Sequence, residues 1–415
     1  MISNYSLNIF LLKLFTSIIL FILIYADIRL NKINIKMLIG ENNPKKSLLV
    51  IGAFICYLSL TLIYSKDPVY GIQKILNFLT ITIPLIIAFY YLIITYDEKR
   101  LRVFINSIVI ISLISVVYIL IDYPFQPGNV YEFRPGKWSH VIYGRMMGTF
   151  ALVLILYSIS LKDYKPSLIY AIISSIATYG LFLSTHRSTL ISLILVMIVL
   201  GVWLVVSGKR REVRGKRGEV QGKRGEVRGK SINPVISLIT VIVLTLVLIF
   251  ILPKPEIVSV RYNNLASVEG LEFGGDGPIL SRFETLKLSW QMFVDNPVFG
   301  VGFGGFKAYN DVTEFHKYPH NIFAEMAVEG GIIGLLVLCS MLYVLFKNVS
   351  RYFSYNLQLR AYCLMLATFA LLLTLFSKDL PSQSVLWIWL AVVGMSNVRG
   401  PKPAPNLFRG PESND

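Results

Sequence analysis

The sequence predicts an all-α membrane protein: a bundle of about eleven (10–12) transmembrane helices with one large extracytoplasmic loop containing short amphipathic helices. Three observations carry this. Apolar residues fill 54% of the 415 positions and charged residues only 15%, against about 25% in soluble domains, which excludes a water-soluble globular enzyme. Apolar runs close to the roughly 20 residues that cross a bilayer recur along the whole chain. The basic residues between those runs alternate in density, as the two sides of a membrane require.

Taken in order, the spans fall near 8–26, 47–65, 75–96, 103–124, 141–161, 167–183, 189–206, 233–252, 322–346, 361–377 and 383–397. The first is read as a retained helix. Lys13 interrupts it, Asp27 and Arg29 follow it, and no small-residue cleavage site comes after it. The last run is only about 15 residues long and needs tilt or local thinning to cross. Assigning the connecting segments to alternate sides puts 26 of the 40 Lys/Arg in one set and 12 in the other, so the first set is cytoplasmic and the C-terminus faces inward. The net charge of +16 is concentrated, because Lys209 to Lys230 alone holds ten Lys/Arg against three Glu. That excludes a nucleic-acid surface. The stretch is a seven-residue repeat, Lys-Arg-x-Glu-Val-x-Gly, in copies 209–215, 216–222 and 223–229. A glycine in every copy and one valine per seven residues cannot build a coiled-coil seam, so a disordered basic cytoplasmic loop is expected over 207–232. Cys56, Cys339 and Cys363 lie in apolar runs without ligand spacing, which argues against a disulfide framework or a structural zinc.

The orientation makes 253–321 the one long extracytoplasmic segment, and the histidines His140, His186, His316 and His320 fall on or beside the outer face with Arg187. Ionisable groups at membrane margins that face a cavity are functional candidates. Within the loop, Ser281-Arg282-Phe283-Glu284 has the form of a capping box. Phe283, Leu286, Trp290, Phe293 and Val294 follow, so an amphipathic helix starting at Ser281 is expected, with Arg282 in the first turn beside free backbone N–H groups suited to an anionic oxygen. Glycine clusters flank it at 274–277 and 300–305. Neither precedes Lys-Ser/Thr, so they are read as sites of close backbone packing and not as a nucleotide loop. Tyr318-Pro319-His320-Asn321 then opens an apolar helix carrying Glu325, Gly330, Gly331 and Gly334, which puts an imidazole able to accept a hydroxyl proton at the outer mouth of a span.

These pieces resemble the O-antigen ligase and polymerase superfamily, the polytopic bacterial glycosyltransferases that use undecaprenyl-pyrophosphate-linked glycans. His320-Asn321, nine residues, then Gly331-Ile332-Ile333-Gly334 matches the family's His-[Asn/Ser/Gln]-x9-Gly-x-x-Gly signature. Ser184-Thr185-His186-Arg187-Ser188-Thr189 resembles a second block, and Arg282-Phe283-Glu284 through Asp295-Asn296-Pro297-Val298-Phe299-Gly300-Val301-Gly302 a third. The resemblance implies a GT-C-type bundle and metal-independent, inverting transfer without a cofactor, in the bacterial inner membrane with the active site on the periplasmic face. It gives catalytic roles to His320, Arg187 and Arg282. Lys66, Arg261, Arg145 and Asn321 are further substrate-binding candidates.

Organisation then reads as 1–183, N-terminal helices; 184–346, the ligase-like core with loops 207–232 and 253–321; and 347–415, C-terminal helices and tail. The implied partners are a lipid-linked glycan donor, a lipid A core or glycan acceptor and membrane lipids. Lipid A core as acceptor makes the chain an O-antigen ligase, and another repeat unit makes it a polysaccharide polymerase. A polytopic transporter is the alternative of another class. It predicts charged groups or broken helices near the midplane, whereas of the basic residues only Lys13 and Arg145 lie within the expected spans.

Overall fold

The computed structural model describes residues 4–30, 44–94, 98–122, 140–161, 163–219, 234–252, 258, 277–309, 317–352, 357–376, 379–383 and 385–389, and all regular structure among them is helical. The helices are α1 (Asn4–Leu30), α2 (Pro44–Thr61), α3 (Pro68–Asn77), α4 (Ile83–Ile94), α5 (Glu98–Asp122), α6 (His140–Ser160), α7 (Tyr164–Leu183), α8 (Arg187–Glu219), α9 (Pro234–Ile251), α10 (Gly277–Asp295), α11 (Ile322–Tyr352) and α12 (Leu357–Thr374). A π-turn, Phe78–Thr82, joins α3 to α4. Six stretches among the described residues are long and apolar enough to cross a membrane: Pro68–Phe89, Val141–Ser160, Tyr164–Leu183, Arg187–Val206, Pro234–Ile251 and Ile322–Leu345. Leu49–Tyr64, Arg102–Tyr118 and Leu364–Thr374 are apolar but shorter.

The structure departs from the sequence expectations at three places. The span expected from residue 75 starts at Pro68, where the Asp67 side chain caps the Tyr70 N–H and proline occupies the first turn, so Lys74 lies inside the helix. The basic stretch expected to be disordered from residue 207 is helical to Glu219, because Lys, Arg and Glu are good helix formers and extending an existing helix avoids the cost of nucleation. Residues 220–232 of that stretch lie outside the described residues. Finally, α10 begins at Gly277 rather than Ser281. Pro278, in the first turn, is tolerated there since the N–H it lacks has no intrahelical partner. Arg282 therefore sits in the second turn, away from the free N–H groups of the helix start.

The chain forms two compact units, Met1–Asp97 with Gly277–Leu407, and Glu98–Asp276 with Phe408–Asp415. In the first, Phe54 and Phe78 pack on Trp387 with ring centroids 5.8 and 5.2 Å apart, and the Trp387 indole N–H donates to the Leu380 carbonyl at 2.8 Å. Its central feature is a break in α11. Gly331 (φ 62°, ψ −158°) interrupts the helix, which frees the carbonyls of Val328 and Glu329 and the N–H groups of Ile332 and Ile333. The loop after α10 takes up all four. Val301 and Gly302 N–H donate to Val328 and Glu329 (2.9 Å each), while Pro297 and Val298 carbonyls accept from Ile332 (2.8 Å) and Ile333 (3.4 Å). Non-helical backbone within a span persists only when satisfied in this way. Glycine is required on both sides of the exchange. A Cβ on Gly331 would stand 2.3 Å from the Val298 oxygen, and one on Gly300 2.4 Å from that of Val328.

In the second unit α6 and α7 pack most extensively, through small residues that let backbones approach. Ser158 and Ser167 exchange hydroxyl-to-carbonyl bonds at 2.8 and 2.9 Å, and the Ser167 hydroxyl lies 3.1 Å from that of Ser237 on α9.

Candidate functional site

In the first unit the motif residues stand at the start of α11. Asn321 caps the helix: its side-chain oxygen accepts from the N–H of Phe323 (2.9 Å) and Ala324 (3.2 Å), and its amide donates to the Leu375 carbonyl (3.3 Å). The residue before the cap, His320, holds φ 61°, a left-handed conformation uncommon for a non-glycine residue, with its half-buried ring 4.6 Å from that of Tyr318. Arg282, half-buried on α10, belongs to the same unit. α10 packs on α11, with buried Met292 and Val328 in one apolar cluster, and Thr285 and Ser289 of α10 are buried as well. Lys66 is exposed, and its N–H donates to the Val301 carbonyl (3.2 Å), which fixes its loop against the segment that repairs α11. Nearby, Lys307 pairs with Asp67 at 2.9 Å. Partial burial pulls the Asp67 carboxyl upward, but the hydrogen bond and charge of Lys307, with the Tyr70 N–H, outweigh it and hold the group below the usual carboxylate range.

Beneath the α11 cap lies a charge cluster that the sequence did not reveal. Lys74 is buried, with its ammonium 2.5 Å from Glu325 and 2.6 Å from Glu329, and 4.1 Å above the centre of the Phe303 ring. The second Glu325 oxygen accepts from the Leu380 N–H at 2.8 Å. Lys74 reads in the sequence as the end of a polar loop, and its two carboxylate partners lie some 250 residues away. The one local signal is the i, i+4 spacing of Glu325 and Glu329, which puts both on one face of an apolar helix.

In the second unit the Ser184–Thr189 block forms a tight turn between α7 and α8. Thr185 has φ 55°; with His320 it completes the set of non-glycine residues at positive φ among the described residues. The His186 carbonyl accepts the N–H groups of Thr189 and Leu190 and so opens α8. Its buried ring lies 2.5 Å from the Thr189 hydroxyl and 3.3 Å from that of Ser188. Arg187, half-buried, is the first residue of α8, as the sequence predicts for the mouth of that helix. Gly144 on α6 admits the turn: a Cβ there would meet the His186 Cβ at 2.4 Å. The next residue, Arg145, is buried in α6, while Arg261 lies outside the described residues.

The structure therefore keeps Lys66, Arg282, His320 and Asn321 in one unit and places Arg145 and Arg187 in the other. No curated protein matches the chain. Residues 169–339 match the family model described as O-antigen ligase, a stretch that contains Arg187, Arg282, His320, Asn321 and the Gly331–Gly334 pair. Over residues 169–339 the chain is thus similar to the O-antigen ligase family, and its described residues include the apolar helices of a membrane protein.

Proposed function

We propose that the chain moves a glycan from undecaprenyl pyrophosphate to an acceptor hydroxyl on the periplasmic face of the bacterial inner membrane, as an O-antigen ligase acting on lipid A core, within a GT-C-type bundle of about eleven spans. The observation that carries this reading is backbone strain. Thr185 and His320 hold positive φ, and each lies in a motif block inside the segment matched by the ligase family. Strain of this kind costs on the order of 1–3 kcal/mol per residue and persists where the surroundings over-determine it, most often at functional sites.

In the proposed reaction the acceptor oxygen attacks the anomeric carbon from the face opposite the diphosphate. The bond from that carbon to the phosphate oxygen breaks, and lipid pyrophosphate leaves. The His320 imidazole takes the acceptor proton. Arg282 and Arg187 are assigned to the diphosphate, whose negative charge rises as the bond breaks; guanidinium offers planar paired donors and stays charged. Lys66, Arg145 and Arg261 are assigned weaker substrate contacts, and Asn321 a positioning role through the cap it forms.

The acceptor separates ligase from polymerase. A transporter reading draws on the break in α11 and on Lys74, Glu325 and Glu329 within spans. Against it, residues 297–302 occupy the four backbone groups freed at the break, and the Lys74 ammonium is paired. The test is glycan transfer in membranes carrying His320→Ala, Arg187→Ala or Arg282→Ala. Each variant should lose transfer at a normal level of protein; full activity in His320→Ala removes its assigned role.

A further inference from the structure

Helix α10 carries three distinct faces. Thr285, Ser289 and Met292 are buried against the unit. Phe283 (68% exposed), Leu286 (42%), Trp290 (66%) and Val294 (56%) form an outward apolar stripe. Glu284, Lys287, Gln291 and Asp295, also exposed, form a polar stripe at the same spacing one residue further round. A helix standing in water buries its large apolar residues and exposes its hydroxyls; here two hydroxyls are inside and an indole and a phenyl ring are outside. Four large apolar groups on one face form the kind of patch that marks a binding surface.

The hydrogen bonds that repair α11 set the depth of this patch. Pro297 and Val298 are bonded to Ile332 and Ile333, inside the candidate span Ile322–Leu345. Gly330, the last helical residue before the break, is eight residues along the helix from Ile322, about 12 Å at 1.5 Å per residue, and Ile332 follows the break. The side chains of Val298 and Phe299 are exposed at that level, and Ile332 and Leu336 are exposed on the span itself. Residues that face outward from a span at this depth meet hydrocarbon.

We infer that Phe283 to Phe299 is a re-entrant segment of the outer leaflet, whose apolar stripe lies against lipid acyl chains while the Glu284–Lys287–Gln291–Asp295 stripe faces water. Lys287, at the border of the two, reaches the aqueous side through its aliphatic stem. The segment thus forms a wall between lipid and water, independent of which reaction the chain performs. Phe283, Trp290 and Phe299 anchor it as aromatic groups do at membrane interfaces.

The test is accessibility along the helix. Single nitroxide labels are placed at 283, 284, 286, 287, 290, 291, 294 and 295 of the full chain in liposomes, with Cys56, Cys339 and Cys363 replaced by serine. Collision with oxygen, which partitions into lipid, and with a water-soluble nickel chelate should vary out of phase with a period of about 3.6 residues. The oxygen-to-nickel ratio should be severalfold higher at 283, 286, 290 and 294 than at the other four positions. Equal nickel access at both stripes overturns the inference. A photoreactive benzoylphenylalanine at 290 or 291, in a chain that keeps its cysteines, gives a second measurement. Lipid adducts should form at 290 and not at 291; no adduct at 290, or equal yields at both, overturns it.

Discussion

Replacing Lys74 with methionine should destabilise the protein by about 3–5 kcal/mol, the usual cost of breaking a buried ion pair from one side. The structure accounts for a value of that size. The ammonium is within 2.6 Å of both Glu325 and Glu329, and all three side chains are at most 1% exposed, so its removal leaves two carboxylates facing each other without water. Methionine keeps the volume and the contact with Phe303, which isolates the charge. The loss corresponds to roughly two to three and a half orders of magnitude in the folded-to-unfolded ratio. Adding Glu325→Gln and Glu329→Gln removes the stranded charges and should restore most of the stability, because a neutral replacement of a buried ionic cluster is often harmless. The assay is heating of purified protein in detergent followed by size-exclusion chromatography, with the midpoint of monomer loss compared across wild type, the single variant and the triple variant. If Lys74→Met melts with wild type, the cluster does not hold α3 to α11. If the triple variant melts with the single one, the cost arises from lost packing and not from unpaired charge.

The exchange of backbone bonds at the α11 break makes Gly331→Ala and Gly300→Ala severe, since each adds a Cβ about 2.3–2.4 Å from a carbonyl oxygen at a positive φ; Gly52→Ala, with nothing within 4 Å, is the control that should melt as wild type. Asp67→Ala removes a helix cap and should lower stability by about 1 kcal/mol, whereas Asn keeps the cap and should cost less. Because the folded Asp67 carboxyl is held below its unfolded value of about 3.9, its pairing with Lys307 stabilises the fold above that pH; the contribution disappears as pH falls through the lower folded value, and a thermal melt series over pH 2–5 reads it. Arg282→Lys should recover little of the transfer lost in Arg282→Ala, as a point charge lacks the paired donors of guanidinium; equal activity of Lys and Arg removes the bidentate role.

The membrane class and most helix positions were legible because apolar runs of spanning length are local. The two strained residues fall within motif blocks visible in the sequence, Thr185 in the Ser184–Thr189 block and His320 in the His320–Gly334 signature. Asp67-Pro68 and Asp276-Gly277-Pro278 were readable helix starts that apolarity and the Ser281–Glu284 pattern outweighed. The partners of Lys74 and the loop that completes α11 were not readable, since each joins residues 27 to 255 positions apart. The Gly331-x-x-Gly334 spacing suggests tight helix packing, and Gly334, close to Met326 and Tyr57, has that role; Gly331 instead breaks the helix to receive Val298.

The most direct measurement mixes the purified chain in detergent with a lipid-pyrophosphate glycan and, in separate arms, lipid A core, a second donor molecule or buffer, and follows release of lipid pyrophosphate alongside the glycan product. The account predicts release coupled to one transferred chain on lipid A core, abolished in His320→Ala. A ladder in the donor-only arm would make the chain a polymerase, and no release of lipid pyrophosphate with any acceptor would contradict glycan transfer altogether.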